Sequence, residues 1–160
     1  MSDNRSTQQS RQDASGQKPT PNAPEQVAYR RLLWLAPVAA VIAAVANGIF
    51  FLVGDALGAF PDSVIIPNAG SPMTIGPMMI FSAVSTLGAA AVFALLGRFT
   101  GKTRRNFWIV SAVVFIGFLF TPFTIPDAPV IMIVALEVSH LIVAVVAMGA
   151  LLEFGFKKDA

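Results

Sequence analysis

Cysteine is absent from the sequence, which excludes disulfides, cysteine-based metal sites, thiol nucleophiles and palmitoylation. Charge is also scarce, because charged residues make up only 12% of the chain, against roughly a quarter in a typical soluble domain. Apolar residues make up 55% of the 160 residues, and the mean hydropathy is +0.69. This composition indicates an integral membrane protein whose solvent is mainly lipid.

Motifs that would carry a reaction are missing as well. The sequence contains no zinc-protease helix motif, nucleophile elbow or phosphate-binding loop. The net charge of +2 does not indicate nucleic acid binding, because the basic residues flank apolar runs, where a membrane protein needs them. We therefore expect no enzymatic activity, no cofactor, no metal and no nucleic acid partner.

The beginning of the chain has a different composition from the rest. Residues 2–26 are mostly Ser, Gln, Asn, Asp, Pro and Ala, with almost no large apolar side chain. Such a segment cannot bury enough surface to offset the entropy of ordering it. We predict a disordered cytoplasmic tail at residues 1–28, a membrane domain at 29–156 and a short cytoplasmic end at 157–160.

Four apolar runs fill the membrane domain, at residues 32–54, 75–96, 107–125 and 130–152. At about 1.5 Å per residue, each is long enough to cross a hydrocarbon core of about 30 Å as a helix. The strands of a membrane barrel would instead alternate polar and apolar residues over about 10 positions. The sequence therefore predicts an all-α fold, a bundle of four transmembrane helices.

The distribution of positive charge predicts the orientation of this bundle. All 11 Lys and Arg residues lie before the first run, between the second and third, or after the fourth. The other two loops contain Asp55, Asp62 and Asp127 and no basic residue. Because basic loops are retained in the cytoplasm, we expect both termini to be cytoplasmic, in a bacterial cytoplasmic membrane.

Small residues predict where the helices approach closely, because helices in lipid associate through close packing and hydrogen bonds. The first two runs each carry a stripe of small residues, whereas the third run is rich in Phe. We expect the first, second and fourth helices to approach closely and the third to be more exposed to lipid. The stripes comprise Ala36, Ala40, Ala43, Asn47 and Gly54 on the first run, and Ser82, Ser85, Thr86, Ala89, Ala90 and Gly97 on the second.

The outer loop at residues 55–74 is too apolar to be simply solvated, since it contains Val64, Ile65 and Ile66. Long loops in compact domains tend to be functional or disordered. Two placements are open: the loop folds over the outer end of the bundle as a lid, or it rests on the lipid interface.

Three polar residues lie inside the predicted spans: Asn47 in the first, and Glu137 and His140 in the fourth. A charged side chain at the membrane centre costs roughly 2.5–3.5 kcal/mol on insertion scales, so such residues usually face the protein interior. Glu137 and His140 are three positions apart and share a helix face. Asn47 lies at a similar depth in the antiparallel first helix. We therefore predict one connected candidate cluster of Asn47, Glu137 and His140.

Three interpretations of this cluster are open. The first is structural: a hydrogen-bonded group, with Glu137 protonated, that determines the helix register. The second is a proton relay or a site for a small ligand. The third is a metal site, because the spacing Glu-x-x-His recurs in di-iron bundles. Those bundles need a second such pair and further carboxylates, which only a homodimer of this chain would supply.

Several short segments carry a family resemblance. They are residues 30–34 at the start of the first run, Ala46-Asn47 within it, residues 94–99 at the end of the second, and Ser139-His140 followed by Val143-Ala144 in the fourth. In these segments the chain resembles, over about residues 30–153, a group of small four-helix bacterial membrane proteins known only as a domain of unknown function. The resemblance implies four transmembrane helices and no established activity, so no catalytic residue is carried over.

The functional expectation is a non-enzymatic, multi-pass membrane protein that scaffolds, senses or assembles with partners. Its expected partners are the lipid bilayer and either a second copy or another membrane protein. The alternative is a small oligomeric transporter, or a proton or solute permeation protein, that uses Asn47, Glu137 and His140. A water-accessible cavity that reaches Glu137 would favour the alternative, and a dry cluster would favour the first expectation.

Reporter fusions test the predicted orientation. Reporters fused at Asp62 and Asp127 should read as external, and one at Lys102 should read as cytoplasmic, because basic loops resist translocation. The measurement is the activity ratio of paired reporters that function on only one side of the membrane. An external signal from either terminus would contradict the prediction.

Overall fold

The computed structural model of the protein describes residues 25–67 and 69–157. The helices are, in chain order, α1 at Tyr29–Ala56, α2 at Ile75–Phe99, α3 at Thr103–Phe118 and α4 at Val130–Phe154, with a 3-10 helix at Pro122–Thr124. α1, α2, α4 and the span that joins α3 to the 3-10 helix are each long and apolar enough to cross a membrane. No strand occurs in the described ranges, so the predicted all-α bundle of four spans is confirmed.

Residues 25–28 belong to the predicted tail, yet they pack against the basic end of the bundle, the end that carries the Lys and Arg residues between α2 and α3. Val27 is buried and forms an antiparallel β-bridge with Phe156. The N–H of Ala28 donates a hydrogen bond to the carbonyl of Gly155 at 2.9 Å. Gly97 is needed opposite this segment, because a Cβ there would collide with the Val27 side chain. The rest of the predicted tail, at residues 1–24, and the chain end at 158–160 lie outside the described residues.

α3 begins at Thr103, several residues before the predicted position 107. The first N–H groups of a helix have no partner within it and attract negative charge. A carboxylate oxygen of Glu25 accepts a hydrogen bond of 2.7 Å from the N–H of Arg104 and so caps this helix. The Arg104 guanidinium donates to the carbonyl of Leu152 at 3.1 Å. The segment before α1 therefore holds the start of α3 beside the end of α4.

α3 ends at Phe118, although the apolar run continues to residue 125. The reason is Pro122, which has no N–H to donate to the carbonyl of Phe118, four residues earlier. That carbonyl instead accepts a hydrogen bond of 2.7 Å from the Thr121 hydroxyl. The chain then crosses the remaining depth as a turn and a 3-10 helix.

Two apolar clusters fill the bundle, one at each end. The cluster at the basic end joins residues from all four helices to Val27, with Phe93 and Phe107 in edge-to-face contact at 5.1 Å. The cluster at the opposite end contains Met78 and Met132 together with residues from the loop between α1 and α2. Both clusters are dense with large side chains, so the axis of the bundle is filled by apolar groups above and below its centre.

The loop between α1 and α2 forms a lid over the end of the bundle opposite the basic end. Its residues Ala59, Phe60 and Val64 are buried. The Phe60 ring stacks on Phe51 with ring centroids 4.9 Å apart. Gly54 makes this contact possible, because a Cβ at that position would approach the Phe60 ring to 2.7 Å. Of the two placements open from the sequence, the structure shows the lid.

α1, α2 and α4 form the closely packed part of the bundle, as the small-residue stripes predicted. Ala43 and Thr86 are completely buried where these helices meet. Ser85, which belongs to the predicted stripe on α2, is exposed instead. α3 is peripheral, because only Thr103 and Phe107 near its beginning are buried.

Overpacking at this junction should destabilise the protein. We expect Ala43→Leu and Thr86→Leu to lower the free energy of unfolding by about 1–3 kcal/mol, because neither site has room for a larger side chain. Val84→Leu is the matched control on α2, since Val84 is exposed. Thermal unfolding in detergent provides the measurement. Equal tolerance at all three positions would contradict the close approach of α1 to α2.

Candidate functional site

Asn47 lies at the centre of the bundle, where α1, α2 and α4 meet, and is completely buried. Its amide nitrogen donates a hydrogen bond of 2.7 Å to the hydroxyl of Ser82 and one of 3.3 Å to the carbonyl of Ser139. We refer to Asn47, Ser82, Thr86 and Ser139 as the Asn47 group. One side chain of α1 thereby links α2 to α4.

The hydroxyls of Ser82 and Thr86 have partners within their own helix. Ser82 donates to the carbonyl of Met78 at 2.7 Å, and Thr86 donates to the carbonyl of Ser82 at 2.8 Å. Such bonds to the preceding turn allow Ser and Thr inside a membrane helix. The side-chain oxygen of Asn47 has no hydrogen-bond partner among the described residues. The hydrogen bonds of the group are therefore made among its own members and to the backbones of α2 and α4.

Glu137 and His140 lie close together on α4, with a Glu137 carboxylate oxygen 4.0 Å from Nδ1 of His140. This distance is too long for a hydrogen bond. Both carboxylate oxygens and Nδ1 are buried, and none has a hydrogen-bond partner in the described part of the chain. The His140 side chain as a whole retains 31% exposure. The exposed part of the imidazole is therefore not its Nδ1 edge.

The imidazole of His140 packs against α3 rather than against α1. Its ring lies 5.5 Å from the ring of Phe118, measured between centroids, with an angle of 30° between the ring planes. Phe118 is the last residue of α3. The Glu137–His140 pair therefore lies at the contact between α4 and the end of α3.

The three residues predicted as one cluster thus form two separate groups. Asn47 reaches the backbone of Ser139, and its donor nitrogen is fully occupied there and at Ser82. Because successive helix residues are about 100° apart, Glu137 points about 160° away from Ser139 around α4. Within residues 25–67 and 69–157 no hydrogen bond or ion pair joins Asn47 to Glu137 or His140.

Sequence reasoning missed part of the Asn47 group. Ser82 and Thr86 appeared only as small residues of a packing stripe, although their hydroxyls also mark them as hydrogen-bonding partners. Ser139 contributes a backbone carbonyl, an acceptor that every residue type carries. No signal in the sequence distinguishes that carbonyl from its neighbours.

A groove of about 490 Å³ runs between α3 and α4, on the outside of the bundle. We call it the α3–α4 groove. Small residues form its floor, Trp108 and Glu153 lie at its basic end, and Leu141, next to His140, lies at its other end. Its small residues are Ser111, Ala112, Ala144 and Gly149.

A second groove, of about 420 Å³, lies between α1 and α2 and is lined only by apolar side chains, with Pro37 and Met79 among them. The two grooves differ chemically, because only the α3–α4 groove contains a hydroxyl, an indole N–H and a carboxylate. In residues 25–67 and 69–157, no three His, Asp or Glu side chains come together in a way that would hold a metal ion.

Substitution of Asn47 tests whether its donor nitrogen holds the helices together. Asn47→Asp replaces the donor with an acidic group facing the Ser139 carbonyl, so we expect a loss of about 2.5–3.5 kcal/mol in stability. Asn47→Leu keeps the size and removes two hydrogen bonds, for an expected loss of about 0.6–1.7 kcal/mol.

Val45→Leu, on an exposed position of α1, is the control and should be silent in the same thermal unfolding assay. If the Asp and Leu variants at position 47 are both as stable as the unmodified protein, the amide nitrogen does not hold the helices together.

Comparison with known proteins gives the chain a family but no activity. A family model described as "Family of unknown function (DUF6069)" matches residues 27–154. No curated protein and no solved structure matches the sequence. The match begins at the buried Val27 and ends at the last residue of α4, so it covers the whole bundle. The chain therefore belongs to this family of unknown function, as a protein with four apolar helices of membrane-spanning length.

Proposed function

We propose that this protein is a non-enzymatic assembly component of a membrane, which binds a transmembrane protein through the α3–α4 groove. The observation that carries the proposal is that α3 leaves most of its surface uncovered beside a groove with small and polar residues. The proposed location is the cytoplasmic membrane of a bacterium, with the basic end in the cytoplasm. The segregation of Lys and Arg supports that orientation.

The chemistry of the groove supports a protein occupant over a lipid chain. An acyl chain is a sufficient partner for the apolar groove between α1 and α2. Ser111 in the α3–α4 groove is a hydrogen-bonding group, and lipid tails offer it no partner. Ala112 and Ala144 would allow another helix backbone to approach closely.

The Glu137–His140 pair also supports the binding of a partner at this face of the bundle. His140 packs against Phe118 and retains 31% side-chain exposure, and the next residue, Leu141, lines the end of the groove. An exposed imidazole at membrane depth is a hydrogen-bonding group that another membrane helix can satisfy. In this proposal Phe118 positions the imidazole, and His140 contacts the partner.

A photoreactive side chain introduced at Ser111 tests this function in cell membranes. We expect irradiation to yield an adduct with a transmembrane protein, because Ser111 lines the groove. The same side chain at Val84 is the control, since Val84 is exposed on α2 away from the groove, and it should yield lipid adducts only. Lipid adducts alone from Ser111 would contradict the proposal.

A second candidate function is proton or solute permeation at a contact between subunits. It is favoured by Glu137 and His140, whose buried polar atoms have no hydrogen-bond partner among the described residues. The apolar clusters at both ends of the bundle disfavour a path through the centre of a single copy. Flux into proteoliposomes that Glu137→Gln abolishes, with folding preserved, would establish this candidate instead.

A further inference from the structure

Two opposite charges flank the basic end of the α3–α4 groove. Glu153 lines the groove from the last turn of α4, and Arg105 lies in the first turn of α3, one turn before Trp108. Both residues are exposed. In the part of the chain that the structure describes, the ion pairs are Arg104–Glu25 and Glu137–His140, so neither Arg105 nor Glu153 is in one.

Arg105 and Glu153 both lie near the contact between the start of α3 and the end of α4. The Arg104 guanidinium donates to the carbonyl of Leu152 at 3.1 Å, and Arg105 and Glu153 are the next residues on their helices. Because α3 and α4 are antiparallel, these two steps go in opposite directions and add an offset of about 3 Å along the membrane normal. The long side chains of Arg105 and Glu153 can span such an offset when they lie on two molecules inserted in the same direction.

We propose that the occupant of the groove is a second copy of this chain, related by a two-fold axis along the membrane normal. This inference rests on the proposed function and names its partner. In a two-fold interface, if residue i of one copy contacts residue j of the other, then j also contacts i. Arg105 of each copy then pairs with Glu153 of the other, so the interface contains two equivalent ion pairs.

The side chains between these charges suit the same interface. Trp108 is 55% exposed at the groove, and Val145 is 63% exposed on the facing side of α4. These protruding residues alternate with the small residues Ala112 and Gly149, so one copy offers both knobs and holes. Trp and Arg are also the residues that most often dominate binding at interfaces.

Other occupants fit the charges less well. A lipid phosphate would be attracted to Arg105 but repelled by Glu153 on the other side of the groove. An acyl chain would leave both charges without a partner. One charge of each sign at the same end of the groove is what a self-complementary contact requires.

Charge reversal on separate copies tests the pairing. Arg105→Glu and Glu153→Arg are prepared with different tags, and association is measured by energy transfer and co-purification in liposomes. Each variant alone would face like charges across the axis, so we expect self-association to fall about tenfold or more. A mixture of the two variants restores both opposite-charge pairs and should associate as the unmodified protein does.

The mixture separates this contact from one inside a single chain, because mixing cannot repair an intramolecular pair. Arg98→Glu is the matched control: it makes the same change of charge on an exposed residue at the same end, on α2, and should leave association unchanged. Recovery in the mixture also shows that both variants fold.

The inference is wrong if the unmodified protein is monomeric. It is also wrong if either single charge reversal leaves self-association unchanged, or if the mixture of the two variants does not associate. If the Ser111 adduct contains a different membrane protein, the occupant of the groove is not a second copy of this chain, and the assembly function stands. If Ser111 captures no protein at all, the assembly function itself fails.

Discussion

The close approach of α1, α2 and α4 at Ala43, Asn47 and Thr86 is the contact on which the bundle depends. All three residues are completely buried. In lipid there is no burial from water to hold helices together, so small residues and interhelical hydrogen bonds must do so. Asn47 supplies both, since its compact side chain fits the junction and bonds to α2 and α4 at once. This junction determines how α1, α2 and α4 are arranged, and the lid and the apolar clusters fill the two ends of the bundle.

The peripheral position of α3 follows from the same constraint. Only Thr103 and Phe107 of α3 are buried, so this helix is secured mainly near its two ends. At the basic end, Glu25 caps the helix and Arg104 bonds to α4. At the other end, the Phe118 ring packs against His140. Between these attachments α3 stands away from α4, and the space that remains is the α3–α4 groove.

Run length and hydropathy were enough to predict the four spans, because a membrane of given thickness demands helices of given length. They could not predict that α3 ends at Phe118, which depends on the bond that Pro122 cannot make. Nor could they reveal that Glu25 caps α3, since the two are far apart in the sequence. Depth in the membrane was readable for Asn47, Glu137 and His140. The direction in which each side chain points could not be predicted, because it depends on the neighbours that surround each helix. For this reason the structure shows two groups where one cluster was predicted.

The separation of these two groups constrains where any function can reside. The Asn47 group is enclosed by three helices and by apolar clusters above and below, so its polarity serves packing. Glu137 and His140 lie outside that enclosure, on the side of α4 that α3 only partly covers. Polar groups placed there are costly in lipid unless something else contacts them. The groove, the partly exposed imidazole and the opposite charges of Arg105 and Glu153 all lie where α3 meets α4. Because the interior is closed, this outer face is the surface on which the proposed assembly function depends.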